Sequence, residues 1–364
     1  MGKEIVLRQA RGMKLLAASA VTIVALAMAA CGSTDSPGGD SNTTAKKLKV
    51  GMAYDIGGRG DKSFNDSAAA GLDRIKTELN IETRELNAVL GESENDKYTR
   101  LKILCDAGFN PIIAVGFIYA GADAKNGPIA RAAKDCPNTK FAIIDDGSAA
   151  ASNIANLVFA EEQGSFLVGA AAALKSKVNH VGFIGGCKID LIAKFEAGFI
   201  AGAKAVNPSI KVESNYLSTP AQQCSGFNDP ANGEVQANGI FEKGADVIYH
   251  AAGGSGSGLF KAAAAKGKLA IGVDSDQYQV VTDAKQKEVI ITSMLKRVDV
   301  AVFNFVKDMG DDKFTAGVKV HDLKIDGVGY ATSGGKVDDI KTKLDEYKQQ
   351  IIAGTIKVPT EPTA

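Results

Sequence analysis

The sequence predicts an α/β protein made of two successive doubly wound units, each a parallel sheet covered by helices. Three observations predict it. Apolar strand-like runs alternate with helical patterns from "KVGMAYDI" to "KFAIIDD". The alternation restarts after "NIANLVF" and continues to "VIITSML". The runs are apolar on both faces, as strands sandwiched between helices must be. From Leu48 onward the body has roughly 315 residues, more than one core holds comfortably, which suits two domains.

In the first unit, "KVGMAYDI" is followed by a helix over 64–79, "TRELNAV" by one over 94–107, and "PIIAVG" by one over 121–134 before "KFAIIDD". Leu72, Ile75 and Leu79 share one face of the first helix, and Ser63 with Asp66 has the spacing of a capping box. The second unit begins with a helix over 161–176. "HVGFIGG", "IKVESNYL" and "DVIYHAAG" then alternate with helices over 190–206, 231–243 and 257–266, ahead of "LAIGVDSD" and "VIITSML".

The chain start has the pattern of an export signal. Lys3, Arg8, Arg11 and Lys14 lead into the apolar run 15–30, which falls short of the ~20 residues that a spanning helix needs. Met13 is a second candidate start. The small residues of "MAAC" before Cys31 resemble a lipobox, with Met28 where that motif prefers leucine. Residues 1–30 are therefore expected to be a lipoprotein signal peptide and Cys31 the lipidated N-terminus. The Gly/Ser/Thr/Pro/Asp-rich 31–47 is expected to be a flexible tether. The expected location is the extracytoplasmic face of the cell membrane, with the lipid as anchor.

Forty-two Lys plus Arg balance 42 Asp plus Glu, and no basic run follows the signal, which disfavours a nucleic-acid partner. Cys105, Cys136, Cys187 and Cys224 form no C-x-x-C and lie beside no histidine at ligand spacing. In an oxidising compartment that even count suits two disulfides better than zinc.

Ligands of open parallel sheets sit beyond the strands' carboxyl ends, here the loops in "DIGGRGDKSFN", "IDDG", "IGGCKID", "AAGGSGSG" and "VDSDQ". "AAGGSGSG" lacks the Gly-Lys-Ser/Thr of a P-loop, and Ser255 has Gly253 two before it but Ser257 two after, so it is no nucleophile elbow. None of His180, His250 and His321 pairs obviously with a nucleophile. Asp145, Asp146, Asp274 and Asp276 suit a polar ligand as well as a metal, and have no histidine partner. No catalytic residue, metal or cofactor is expected. The loops instead offer carboxylates for hydroxyls, glycines for close approach and aromatics for stacking. Phe64 either stacks on a ligand or caps the apolar face of its helix; both readings stand at this point.

"DKSFND", "EEQGSFLVGAAA", "VGFIGG", "FEAGFIAGAKAVNP", "FNDPANG", "GADVIYHAAGGSGSGLFKAA", "IGVDSDQ" and "TSMLKRVDVAVF" occur in order from about Leu48 to the C-terminus. Together they resemble the basic membrane protein family of bacterial lipoproteins, the PnrA-like purine nucleoside receptors. The resemblance implies a type I periplasmic-binding-protein fold with a hinged cleft, serving an ABC importer's permease and ATPase. It implies a first domain of 48–158 plus 295–318 and a second of 159–294 plus 319–356. Phe64 and Phe227 would sandwich the purine, and Asn65 and Asp145 would bind its edge. Asp274 and Lys296 would grip the ribose, with Gly253 contacting it through backbone and Asp55 as a further lining residue. Within those domains the positions of the cysteines pair Cys105 with Cys136 and Cys187 with Cys224, and the second pair lies beside the cleft. Two alternatives are a receptor for a sugar or other small metabolite and an extracellular nucleoside-processing enzyme.

Replacing Cys31 by Ser should release the protein from membranes, because stable anchoring takes two acyl chains at ~0.8 kcal/mol per buried CH₂. Fractionation checks this; a variant that still sediments fully with membranes rules out the lipobox.

Overall fold

The computed structural model of the protein describes residues 48–362. The expected signal 1–30, the tether 31–47 and Cys31 lie outside the described residues. The first half supplies strands β1 Lys49–Ala53, β2 Glu82–Leu86, β3 Ile112–Ala114, β4 Phe141–Ile144 and β5 Ile154–Phe159, with helices α1 Phe64–Glu78, α2 Glu94–Asp106 and α3 Pro128–Asp135 between them. Next come α4 Glu161–Lys175, β6 His180–Gly185, α5 Asp190–Val206, β7 Lys211–Tyr216, α6 Pro230–Glu242, β8 Val247–Ala251 and α7 Gly256–Lys266. The chain ends with β9 Leu269–Asp274, α8 Gln277–Val280, α9 Ala284–Val289, β10 Ile290–Lys296, α10 Val298–Gly310, β11 Gly317–His321, β12 Val328–Tyr330 and α11 Lys341–Ile352.

The strands form two six-stranded sheets with matching winding, β2-β1-β3-β4-β5-β11 and β7-β6-β8-β9-β10-β12. All pairings are parallel except β10 with β12. β1, β3 and β4 are almost wholly buried, as are β6, β8 and β9, which accounts for their unbroken apolar runs. Each sheet reverses its winding direction once, between β1 and β3 and between β6 and β8. At such a switch point the loops diverge and leave a crevice. The chain passes from one sheet to the other after β5, after β10 and after β11. No helix among the described residues is long and apolar enough to cross a membrane.

Two local expectations are corrected. The third helix begins at Pro128, not at 121. Gly121 is left-handed (φ +74°), and a side chain at Gly127 would put its Cβ 1.7 Å from the Ala120 carbonyl oxygen, so 121–127 folds back as a loop. Pro128 then supplies a preset first turn. At α1 the Ser63 side chain does not cap the helix. Asp61 does: its carboxylate accepts from the amides of Ser63 (2.9 Å), Asn65 (2.8 Å) and Asp66 (3.1 Å), which frees the serine hydroxyl for another partner.

Helices α4 and α5 approach through glycines. A Cβ at Gly169 would lie 2.1 Å from the Phe199 carbonyl oxygen, one at Gly198 2.1 Å from that of Glu162, and one at Gly202 1.9 Å from that of Phe166. This explains the small residues of "FLVGAAA" and "FEAGFIAG", and it brings the N-terminus of α4 close beneath the cleft. Gly202→Ala should therefore cost about 2 kcal/mol or more through overpacking. Gly239→Ala in α6, where among the described residues nothing beyond the helix's own backbone and the chain neighbours lies within 4 Å of the added Cβ, should instead add ~0.5–1 kcal/mol. Urea midpoints check the pair; equal midpoints for both variants would refute a close helix contact.

Candidate functional site

The site lies where both sheets present their carboxyl ends to each other. Asp55 follows β1, Asp145 follows β4, Asp274 ends β9 and Lys296 ends β10. Asp145 (φ +68°) and Asp274 (φ +62°) are both left-handed, a conformation costing about 1 kcal/mol or more for a residue with a Cβ. Two acidic residues held this way at strand ends mark backbone shaped around a site. Between them is a cavity of about 50 Å³, lined by residues of both sheets.

All eight expected ligand residues, Asp55, Phe64, Asn65, Asp145, Phe227, Gly253, Asp274 and Lys296, line this cavity. Lys296 is fully buried, with Nζ 2.6 Å from Asp145 Oδ2 and 3.3 Å from Glu161 Oε1. Its ammonium also lies 5.1 Å from the ring centres of Phe64 and Phe159 and 5.5 Å from that of Phe195. Burial works to lower its pKa, but Asp145, Glu161 and Asp274 outweigh burial and hold it above the usual lysine range. Asp274 accepts from Ser63 Oγ at 2.6 Å, and burial raises its pKa to about 7 despite the attraction of Lys296. Burial likewise raises Asp55 to about 7 and pushes Asp145 upward. Asp145 Oδ1 is buried and has no hydrogen-bond partner among the described residues.

Phe64 opens α1, half-buried, with its ring packed on the core and also forming cavity wall. Phe227 comes from the opposite side, in the 3-10 turn Ser225–Asn228. A Cβ at Gly186 would lie 2.4 Å from Phe227 Cδ1, so the ring rests on bare backbone. The Cys187–Cys224 disulfide ties that turn to the loop after β6, and Cys105 is bonded to Cys136 away from the cleft. Asn65 is largely engaged: Oδ1 accepts from Asp55 N (3.1 Å), and Nδ2 donates to Ile56 O (3.2 Å) and Asp61 Oδ2 (3.0 Å). One Oδ1 lone pair is left for a ligand.

Hydrogen bonds also join the loop before α1 to the end of β9 and the residues after it. Besides Ser63 to Asp274, Ser275 Oγ donates to Ser63 O at 2.9 Å and Gln277 Nε2 to Lys62 O at 2.9 Å. Sequence reading missed Asp61, Phe117, Glu161, Leu191, Ile192 and Phe195. Phe117 had a signal, an aromatic placed just after the strand run "PIIAVG" like Phe64 after "DIGGRG". Glu161 had only its place in the first turn of a helix.

A two-lobed α/β shell enclosing a polar and aromatic cavity between its sheets defines a solute-binding protein of the type I periplasmic fold. Residues 47–361 match the family described as ABC transporter substrate-binding protein PnrA-like, and the chain belongs to that family. It is 35% identical to the CD4+ T-cell-stimulating antigen of Listeria innocua, over 95% of this chain and 98% of the relative. It is 31% identical to the ABC transporter nucleoside-binding protein BmpA of Lactococcus lactis, over 96% of this chain and 99% of the relative. An ABC transporter solute-binding protein of known structure from Aeropyrum pernix K1 superposes with a TM-score of 0.73 at 28% identity, covering 87% of this chain and 94% of that one. The protein is thus an ABC transporter substrate-binding protein.

The buried carboxyls make stability pH-dependent. Asp274 moves from an ordinary 3.8 to about 7, so its stabilising contribution is complete below the lower value and is lost as pH rises through the upper one. Removing that charge in Asp274→Asn, which keeps an acceptor for Ser63, should stabilise the ligand-free protein increasingly from about pH 4.5 to 6.5, on the order of 1.4 kcal/mol per pH unit, and level off above about 7. His180, His250 and His321, lowered chiefly by burial, act in the opposite sense in both proteins, so the variant-minus-wild-type difference is the readout. A difference flat with pH in denaturant titrations would contradict the raised pKa.

Proposed function

We propose that the protein captures purine nucleosides for an ABC importer, anchored by lipid on Cys31 at the extracytoplasmic face of the membrane and delivering to a permease with its ATPase. One observation carries the ligand class: an aromatic-walled cavity whose buried polar groups are nearly all acceptors, with Asp145 Oδ1 unpaired and Lys296 as the cation facing it. Such a site selects a flat apolar ligand bearing several donors. A purine nucleoside is one, with a planar base, an N–H edge and a vicinal diol. In this reading Phe64 and Phe227 take the faces of the base, and Asp55, Asp145 and the free lone pair of Asn65 take its edge. Ionised Asp274 accepts from the ribose hydroxyls, Lys296 donates to one, and Gly253 allows close backbone approach. The lobes are proposed as 48–158 with 295–318 and 159–294 with 319–356, hinged at the chain crossings, so that binding and closure are one event.

Calorimetric titration with guanosine, 2′-deoxyguanosine, 3′-deoxyguanosine and free ribose tests this. Guanosine should bind, at least one deoxy analogue should bind ~10-fold or more weakly, and ribose should hardly bind, because a site built around a hydroxyl rejects the analogue lacking it. Phe227→Ala should weaken guanosine by roughly five- to a hundredfold, the worth of one stacking face. Ribose binding as tightly as guanosine would replace this reading with a sugar receptor, and equal affinities for the three nucleosides would remove the charged grip on the diol.

A further inference from the structure

We propose that Phe117 is the size filter of the site: its ring closes the base end of the cavity and restricts the ligand to purine nucleosides without a bulky substituent on the base. The inference rests on the nucleoside reading above and adds a residue and a limit that reading lacks.

Phe117 sits in a 3-10 turn, Phe117–Tyr119, straight after β3. The turn is seated against Asp55: Gly116 is left-handed (φ +103°), and a Cβ there would lie 2.1 Å from Asp55 Oδ2. Asp55 takes the base edge in the reading above, so Phe117 stands at that edge. Beyond it lies a second, open groove of about 500 Å³ running past Val89, Ser93, Lys97, Pro220 and Gln223. Cavity and groove have only two lining residues in common, Ile56 and Phe117. These two side chains are the partition.

The partition is braced. Tyr119, fully buried at the end of the same turn, donates its hydroxyl proton to the Tyr54 carbonyl at 2.8 Å and accepts from Arg100 at 2.9 Å, and Arg100 is ion-paired with Glu92. Ile56 is fixed by its backbone, which donates to Asp55 Oδ1 at 2.6 Å and accepts from Asn65 Nδ2 at 3.2 Å. Across the cleft the Phe117 ring meets Phe227 of the other lobe at a centroid distance of 6.5 Å and a 60° tilt. The seal is thus complete only with the lobes together, when an oversized base would strike a backed wall.

The test compares wild type, Phe117→Ala and Phe117→Leu by calorimetry with adenosine and N6-benzyladenosine, and with guanosine and N2-benzylguanosine. Each result is read as the parent-to-benzyl affinity ratio, so that loss of one aromatic contact cancels. Wild type and Phe117→Leu should disfavour the benzyl compounds at least ~50-fold, and Phe117→Ala, opening the cavity into the groove, should bring the ratio below ~5. Equal melting temperatures for the three proteins control for folding. An unchanged ratio in Phe117→Ala, or a wild type that accepts the benzyl nucleosides as well as their parents, overturns the filter. If no parent nucleoside binds wild type, it is the nucleoside reading that fails, and the filter falls with it.

Discussion

The cleft is organised around one buried ammonium. Lys296 ends a strand of the second sheet and reaches Asp145 at the end of a strand of the first, with Glu161 beneath and three aromatic rings around it. Burying a lysine unpaired would cost several kcal/mol or force it neutral. Asp145, Glu161 and Asp274 prevent that, at the cost of gathering more negative than positive charge in a dry space. Burial is what raises the pKa values of Asp55 and Asp274, with Asp145 adding a smaller repulsion to each.

Placing these groups depends on backbone that side chains alone would not allow. The left-handed Asp145 and Asp274 turn their carboxylates into the cavity where the strands end, and Gly116 and Gly186 let Asp55 and the Phe227 ring lie directly on main chain. The Gly169, Gly198 and Gly202 contacts act one layer further back, drawing α4 onto α5 so that Glu161, at the start of α4, arrives beneath Lys296. Close glycine contacts and the charged cluster are successive layers of one support.

The same loop that supplies Phe64 also supplies interlobe bonds. Because Asp61 caps α1, Ser63 is free to donate to Asp274, and the carbonyls of Lys62 and Ser63 accept from Gln277 and Ser275. These three hydrogen bonds join the loop before α1 to the end of β9 and the residues after it. Asp274 serves both the loop and the proposed ribose site, which couples the two.

Strand and helix positions, the two-unit organisation and the loops that carry the site were legible in the sequence, because apolar periodicity and glycine or acidic strand ends are local properties of consecutive residues. Asp145 and Asp274 could be singled out for that reason, each standing where a buried strand gives way to a loop, and Phe64 as an aromatic at the junction of a polar loop and α1. The fold back at 121–127 was not legible, since it depends on Gly127 lying against the Ala120 carbonyl and on nothing in the helical pattern. Nor could the sequence say that Asp61 would replace Ser63 as the cap, that most of Asn65's hydrogen-bonding capacity would go to its own loop, that Glu161 would pair with Lys296, or that Phe117 would reach the cavity. Those outcomes were decided by tertiary structure, because each depends on which groups from distant strands compete for the same donor, acceptor or space, and that competition exists only once the two sheets face each other.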